Sequence, residues 1–105
     1  MIHLSVQRIR PDKLERLKAW FAEVETRGDE VRETFAQEGV TCEQAYLLST
    51  SDGPVLIYVE ECDDFEAAVR VFQNSTLAID AEHKAVLADV IEGDLTPQLL
   101  FNMHT

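Results

Sequence analysis

The stretch that decides the fold is AYLLSTSDGPVLIYVEE, residues 45–61. Two strand-like runs, Cys42 to Ser49 and Val55 to Glu61, flank Ser51-Asp52-Gly53, which is typical of a three-residue hairpin loop with glycine at a positive-φ position. The segment therefore predicts two adjacent antiparallel strands.

This loop also predicts which residues of the hairpin face each other. If Thr50 lies opposite Pro54, all the following pairs are directly opposed on one sheet face: Leu48/Leu56, Tyr46/Tyr58, Gln44/Glu60 and Cys42/Cys62. Opposed Cβ atoms lie within about 5.5 Å of each other. We therefore expect adjacent free thiols, since two cysteines are too few for a disulfide framework and the cytoplasm is reducing.

The residues before the hairpin predict a strand and a helical region. Alternation of Ile2, Leu4 and Val6 with polar residues predicts a strand over residues 2–9, and Pro11 suits the start of a helix. The helix carries an apolar stripe at spacings of three and four, formed by Leu14, Leu17, Phe21, Val24, Gly28, Val31 and Phe35. It either continues to Gln37 or breaks between Thr26 and Asp29, because glycine weakens a helix by about 1 kcal/mol. Gly39 then caps it in a left-handed conformation.

The residues after the hairpin predict a second helical region and a last strand. Asp63 or Asp64 caps a helix through about Gln73, and Ser75 or Thr76 starts a second piece carrying Leu77 to Ile91, ended by Gly93. Pro97 precedes a strand over Gln98–His104. The β-α-β-β-α-β order predicts one ferredoxin-like α+β domain over residues 1–105, with strand order 4-1-3-2 and helices on one face.

Charge and hydropathy exclude several functions. Nine Lys and Arg face 20 Asp and Glu, a net charge of −11, which repels nucleic acid and anionic membrane surfaces. Residues 41–105 hold only Arg70 and Lys84 against twelve acids, most simply a solvated surface. No segment approaches the roughly 20 apolar residues of a membrane span. We expect a cytoplasmic protein without nucleic-acid or membrane partners.

The whole chain resembles the dimeric α/β-barrel superfamily. The similarity rests on IHLSVQRI running into Pro11-Asp12, on the hairpin, on DAEHKAVL and on LLFNM. The nearest groups are L-rhamnose mutarotases and an uncharacterised group of domains, with cofactor-free monooxygenases more distant. The resemblance implies a homodimer packed through the uncovered sheet faces, which would bury Leu48, Leu56 and Leu100, and a pocket between sheet and helices. Mutarotases carry Tyr and His where this chain has Leu17 and Phe21, so sugar anomer chemistry is not implied.

His83 is the first candidate for a catalytic residue. It shares a helix face with Ile79, Val86 and Val90, and an imidazole on an apolar face is either a packed boundary residue or a general acid or base. Glu60 is either a base near His83 or an acceptor at the dimer surface, depending on which side of its strand the helices cover.

The facing wall of the pocket is predicted to be formed by Phe21, Val24 and Gly28, with Trp20 at its edge as a partly buried flank or an interface anchor. Such a pocket suits a small apolar or weakly polar ligand. His3, His83 and His104 lie on different elements without metal-ligand spacing, and no phosphate loop or nucleophile motif is present. We expect no metal and no cofactor.

Two functions remain open at this point. One is a cofactor-free small-molecule enzyme of isomerase or monooxygenase type, and the other is a non-catalytic dimeric ligand-binding or interaction protein. An open cavity lined by polar groups favours the enzyme, whereas a filled core favours the binding protein.

Overall fold

The protein folds as a four-stranded antiparallel sheet with its helices on one face. The computed structural model describes residues 1–105. In chain order its elements are β1 (Ile2–Ile9), a 3-10 turn (Pro11–Lys13), α1 (Leu14–Glu25), α2 (Gly28–Glu38), β2 (Val40–Thr50), β3 (Gly53–Cys62), α3 (Phe65–Asn74), α4 (Ala78–Val90) and β4 (Ile91–Leu95). The strand order is β2-β3-β1-β4, and all neighbours are antiparallel. Counted from the β4 edge, this strand order is 4-1-3-2. The residues that form β4 are Ile91–Leu95, however, and not the predicted Gln98–His104.

The first helical region is broken at Gly28, one of the two possibilities that the sequence left open. The amide of Thr26 bonds to Glu23 O at the end of α1, and α2 begins at Gly28. Arg27 holds the corner, because its guanidinium donates to Glu30 and, 2.7 Å away, to Glu82 of α4. The left-handed cap at Gly39 is confirmed by its φ of 76°.

The hairpin register is one residue away from the predicted one. Thr50 lies opposite Gly53, so the loop contains only Ser51 and Asp52. The Thr50 hydroxyl favours this tighter loop because it donates to Gly53 O at 2.6 Å and accepts from the Asp52 amide. Every predicted hairpin pair is therefore wrong.

The two cysteines consequently lie apart. Cys42 is opposite Glu61 and exposed, whereas Cys62 is opposite Val40 and buried. The prediction of adjacent thiols is wrong, because a slip of one residue exchanges the two sides of a strand.

The last strand also differs from the prediction. The chain passes directly from α4 into β4, in which Gly93 lies opposite Arg8, so Gly93 does not end the helix. The predicted strand Gln98–His104 is wrong: residues 91–95 already occupy the free edge of β1, and residues 96–105 form no regular secondary structure. Large apolar side chains of that segment are exposed, namely Leu99, Leu100, Phe101 and Met103.

The helices cover the side of β3 that carries Leu56, Tyr58, Glu60 and Cys62. Leu56 is 2 % exposed in the main core cluster, which corrects its expected position on the open face. The other members of that cluster are Ile9, Leu17, Trp20, Tyr58, Ile79, Val86 and Val90. Leu48 does lie on the open face, whereas Leu100 is not part of the sheet.

The polar side of β1 faces the helices, and its apolar side does not. Ser5 pairs with Tyr58 and Gln7 with Leu56, so these polar residues share the helix-covered face. Ile2 and Leu4 lie on the open face, 71 % and 47 % exposed. A strand thus brings polar groups to the interior. None of the helices has both the length and the apolar character needed to cross a membrane.

Candidate functional site

A cavity of about 230 Å³ lies between the helix-covered sheet face and the helices. Twelve of its 21 lining residues are hydrophobic, and the polar ones come from both the sheet and the helices. These polar residues are Ser5, Gln7, Thr34, Glu38, Glu43, Glu60, Gln73, Asp80, His83 and, by its hydroxyl, Tyr58. The space beneath the helices is therefore an open site with mixed walls rather than a filled core.

The cavity brings together five of the six residues singled out from the sequence. Trp20, Phe21 and Val24 line it from α1, with Glu60 and His83 facing them. Trp20 is only 5 % exposed, so it belongs to the core rather than to a partly buried flank. Gly28 lies outside the cavity at the helix break, where an added Cβ would meet the Arg32 guanidinium at 3.3 Å.

His83 and Tyr58 form a hydrogen-bonded pair in the cavity wall. The Tyr58 hydroxyl lies 2.9 Å from Nε2 of His83, and the Trp20 and Phe72 rings lie 5.6 and 5.2 Å from the imidazole. Burial lowers the pKa of His83 to about 4. Burial, with Glu43 and Glu60 nearby, raises the pKa of the Tyr58 phenol well above its ordinary value.

Both groups of this pair are therefore neutral at pH 7. The phenol keeps its proton and can donate it to Nε2, which leaves the imidazole proton on Nδ1. Burial thus places the titration of His83 well below neutral pH.

A pair of carboxyl groups lies on the sheet beside them. Glu43 of β2 is opposite Glu60 of β3, and His3 of β1 continues the same row. Burial and a hydrogen bond to Glu60 raise the pKa of Glu43 to about 9. The pair therefore retains a proton at neutral pH, as two carboxyl groups in one site do.

A third carboxyl group titrates at neutral pH. Burial raises the pKa of Glu38 to about 7, with further contributions from Asp80 and Glu60. The Thr34 hydroxyl lies 2.8 and 2.7 Å from the Asp80 oxygens and 3.1 Å from Glu38 Oε1. The hydroxyl donates to either carboxylate, and its hydrogen bond to Glu38 lowers the pKa of Glu38, opposing the effect of burial.

Glu38 and Glu43 are the site residues that the sequence reasoning missed. Glu38 is the last residue of α2, and nothing in the apolar stripe distinguishes it from other exposed acids. Glu43 was hidden by the predicted register, which paired Gln44 with Glu60 and so placed Glu43 on the other face. A two-residue loop, Ser51 and Asp52, would have revealed the carboxyl pair.

The remaining histidines do not line the cavity. His3 stacks on Phe65, with ring centroids 4.9 Å apart, and His104 belongs to the exposed segment after β4. No three His, Cys, Asp or Glu side chains are arranged so that they could hold a metal ion.

Comparison with known proteins gives the family of this chain. Residues 1–105 match the model of a family described as "Family of unknown function (DUF6176)". The chain belongs to DUF6176. Neither the curated proteins nor the solved structures gave a significant match. DUF6176 membership fits the resemblance to an uncharacterised group of domains, whereas the relationship to L-rhamnose mutarotases and monooxygenases stays a prediction.

Proposed function

We propose that this DUF6176 protein is a cofactor-free enzyme of isomerase type that moves protons within a small carbonyl compound. The observation that carries the proposal is a set of carboxyl groups with separated pKa values in one cavity. The pKa of Glu38 lies at about 7 and that of Glu43 at about 9. When two titratable groups in one site have pKa values that their environments push apart, one usually acts as the catalytic acid and the other as the catalytic base.

Each carboxyl group has a role in the proposed reaction. In an α-hydroxycarbonyl compound, the Glu38 carboxylate removes the proton from the hydroxyl-bearing carbon, the electron pair of that C–H bond forms a C=C bond, and the π pair of the carbonyl moves onto its oxygen. Glu43 protonates this oxygen. Reversal of both transfers at the neighbouring carbon and oxygen completes the isomerisation and restores both groups.

The other polar groups orient the ligand rather than exchange protons. Tyr58 and His83 are neutral and bonded to each other, so they offer a fixed polar surface beside the reacting atoms. Glu60 holds the proton of Glu43 in place. His83 and Glu60 thereby keep a place in the proposed site, with Glu38 and Glu43 carrying the proton transfer.

Proton transfer is tested by deuterium incorporation. Carbonyl metabolites that stabilise the protein in a thermal-shift screen are incubated with it in D₂O and followed by NMR. We expect deuterium at the carbon next to the carbonyl, and Glu38→Gln should slow its incorporation by about 10² to 10⁴. Glu33→Gln, an exposed acid on the same helix, is the matched control. Binding without any deuterium incorporation would instead support the non-catalytic binding protein.

We also propose that the protein is a homodimer formed through the open sheet face. The centre of that face is apolar, with Ile2, Leu4, Val6, Tyr46, Leu48, Ile57 and Val59. Arg8 and Glu61 lie at opposite ends of the β1–β3 ladder, since Arg8 pairs with Val55 and Glu61 with Ile2. A second copy related by a twofold axis across the strands would bring each Arg8 to the other copy's Glu61, as an isologous interface requires.

A further inference from the structure

The charged side chains that line the cavity are all acidic. Its lining contains four acids, Glu38, Glu43, Glu60 and Asp80, and neither lysine nor arginine. None of the ion pairs of the protein includes Glu38, Glu43 or Glu60, because the paired basic side chains are engaged on the outer surfaces of the helices. Asp80 is in no ion pair either, so four carboxyl groups share a cavity that has no lysine or arginine in its lining.

Aromatic side chains line the same cavity. The Phe21 and Tyr58 rings lie 6.0 Å apart, and the Trp20 and Phe72 rings lie 5.6 and 5.2 Å from the His83 ring. The faces of such rings attract organic cations, Trp most strongly, and quaternary ammonium ligands are bound by clusters of this kind. Acids and aromatic rings thus line the same cavity, a combination suited to an ammonium group.

Two buried polar atoms of the lining residues have no partner. Trp20 is 5 % exposed, and its Nε1 makes no hydrogen bond. Gln7 donates to Asp94 while its buried Oε1 makes none. Buried polar groups are normally bonded, so an unpartnered indole N–H in a cavity wall points to a ligand that supplies an acceptor.

We propose that the cavity binds a small organic ammonium ion that also carries a hydroxyl or carbonyl oxygen. The acids and ring faces hold the cation, and the oxygen accepts from Trp20 Nε1. A volume of 230 Å³ corresponds to about eight water molecules of liquid, which limits the ligand to about ten heavy atoms. The inference rests on the proposed function in one respect, namely that both place the ligand in the same cavity.

Proton binding in the empty cavity supports this proposal. The groups that face Glu43 from the elements around it are His3, Glu38, Tyr58, Glu60, Asp80 and His83, among which the acids outnumber the bases. The proton on Glu43 compensates for the missing cation. An ammonium ion beside the carboxyl pair should expel that proton, so that binding releases about one proton and strengthens as the pH rises toward 9.

The test uses choline and its uncharged isostere 3,3-dimethylbutan-1-ol in isothermal titration calorimetry. Choline keeps its charge at every pH, so any pH dependence belongs to the protein. We expect choline to bind at least ten times more tightly than the isostere, with an affinity that rises up to tenfold per pH unit between pH 7 and 8.5. At pH 8, where Glu38 is already ionised, titrations in two buffers of different ionisation heat should give close to one proton released per choline.

Two variants of the cavity and one control variant test whether the carboxyl pair binds the cation. Glu43→Gln should remove the proton release and the pH dependence, Glu60→Gln should weaken choline binding at least tenfold, and Glu33→Gln should change neither. Equal affinity for choline and the isostere, or choline binding without proton release, would overturn the ammonium proposal.

The ammonium proposal and the isomerase proposal fail in different ways. If choline fails to bind while uncharged carbonyl compounds bind and incorporate deuterium, the ammonium proposal falls and the isomerase proposal stands. Choline binding with proton release, but no deuterium exchange in any aminocarbonyl compound, would support the ammonium proposal and overturn the isomerase proposal.

Discussion

Replacement of Glu43 by Gln should make the protein more stable at neutral pH, although it removes a buried hydrogen-bonding group. In the folded protein the pKa of Glu43 rises from its ordinary 4.5 to about 9, mainly through burial. A group whose folded pKa is raised contributes stability that is complete below the unfolded pKa and is lost as the pH rises toward the folded value. The wild type therefore loses stability between pH 4.5 and 9, a slope that the Glu43→Gln variant lacks.

The magnitude follows from the width of that window. Each pH unit between the two pKa values costs about 1.4 kcal/mol of unfolding free energy. At pH 5 both side chains are neutral, and the two proteins should have similar stability. At pH 7 Glu43→Gln should be more stable than the wild type by about 3 kcal/mol.

Urea unfolding followed by circular dichroism at pH 5, 6, 7 and 8 measures this difference. Glu33→Gln is the control, because Glu33 is exposed on α2 and should give a difference independent of pH. A difference between the wild type and Glu43→Gln that stays constant from pH 5 to 8 would refute the raised pKa of the carboxyl pair.

Three further predictions concern activity and assembly. His83→Gln should lower the turnover rate by less than about tenfold with folding retained, since Gln can still accept from Tyr58 and His83 exchanges no proton; a loss of about 10² to 10⁴ would instead make His83 a general acid or base. The pH–rate profile should be bell-shaped, rising near pH 7 as Glu38 loses its proton and falling near pH 9 as Glu43 does; a profile that rises near pH 4 instead would assign the base to His83. Leu4→Asp should convert a dimer into a monomer in light scattering at micromolar concentration, because it places a charge in the open apolar face; a wild type that is already monomeric removes the dimer proposal.

The fold was predictable because periodicity along each element records which side is buried. Alternation in β1, the acidic cap at Asp64 and the glycine cap at Gly39 depend only on local chemistry, and all three occur in the structure. The last strand was not predictable in this way. Ile91–Leu95 and Gln98–His104 are both acceptable strands locally, and only the length of α4 determines which of them meets the edge of β1.

The candidate site was only partly predictable, since it depends on registers between strands. His83 could be found because a polar residue interrupts the apolar face of one helix. The carboxyl pair could be predicted only from the correct register, in which Glu43 of β2 lies opposite Glu60 of β3. That register depends on the turn, where the Thr50 hydroxyl donates to Gly53 O. Glu38 could not be distinguished, because its raised pKa comes from burial by distant parts of the chain.

The position of Trp20 makes the protein its own optical reporter. The chain contains a single tryptophan, and its indole lies in the cavity wall, 5.6 Å from His83. Its fluorescence therefore reports on this one cavity, without a label and without background from other indoles. Because the imidazole stays neutral down to about pH 4, quenching by a protonated His83 should be absent in the neutral range, and a change of emission on adding a ligand at constant pH reports occupancy of the cavity.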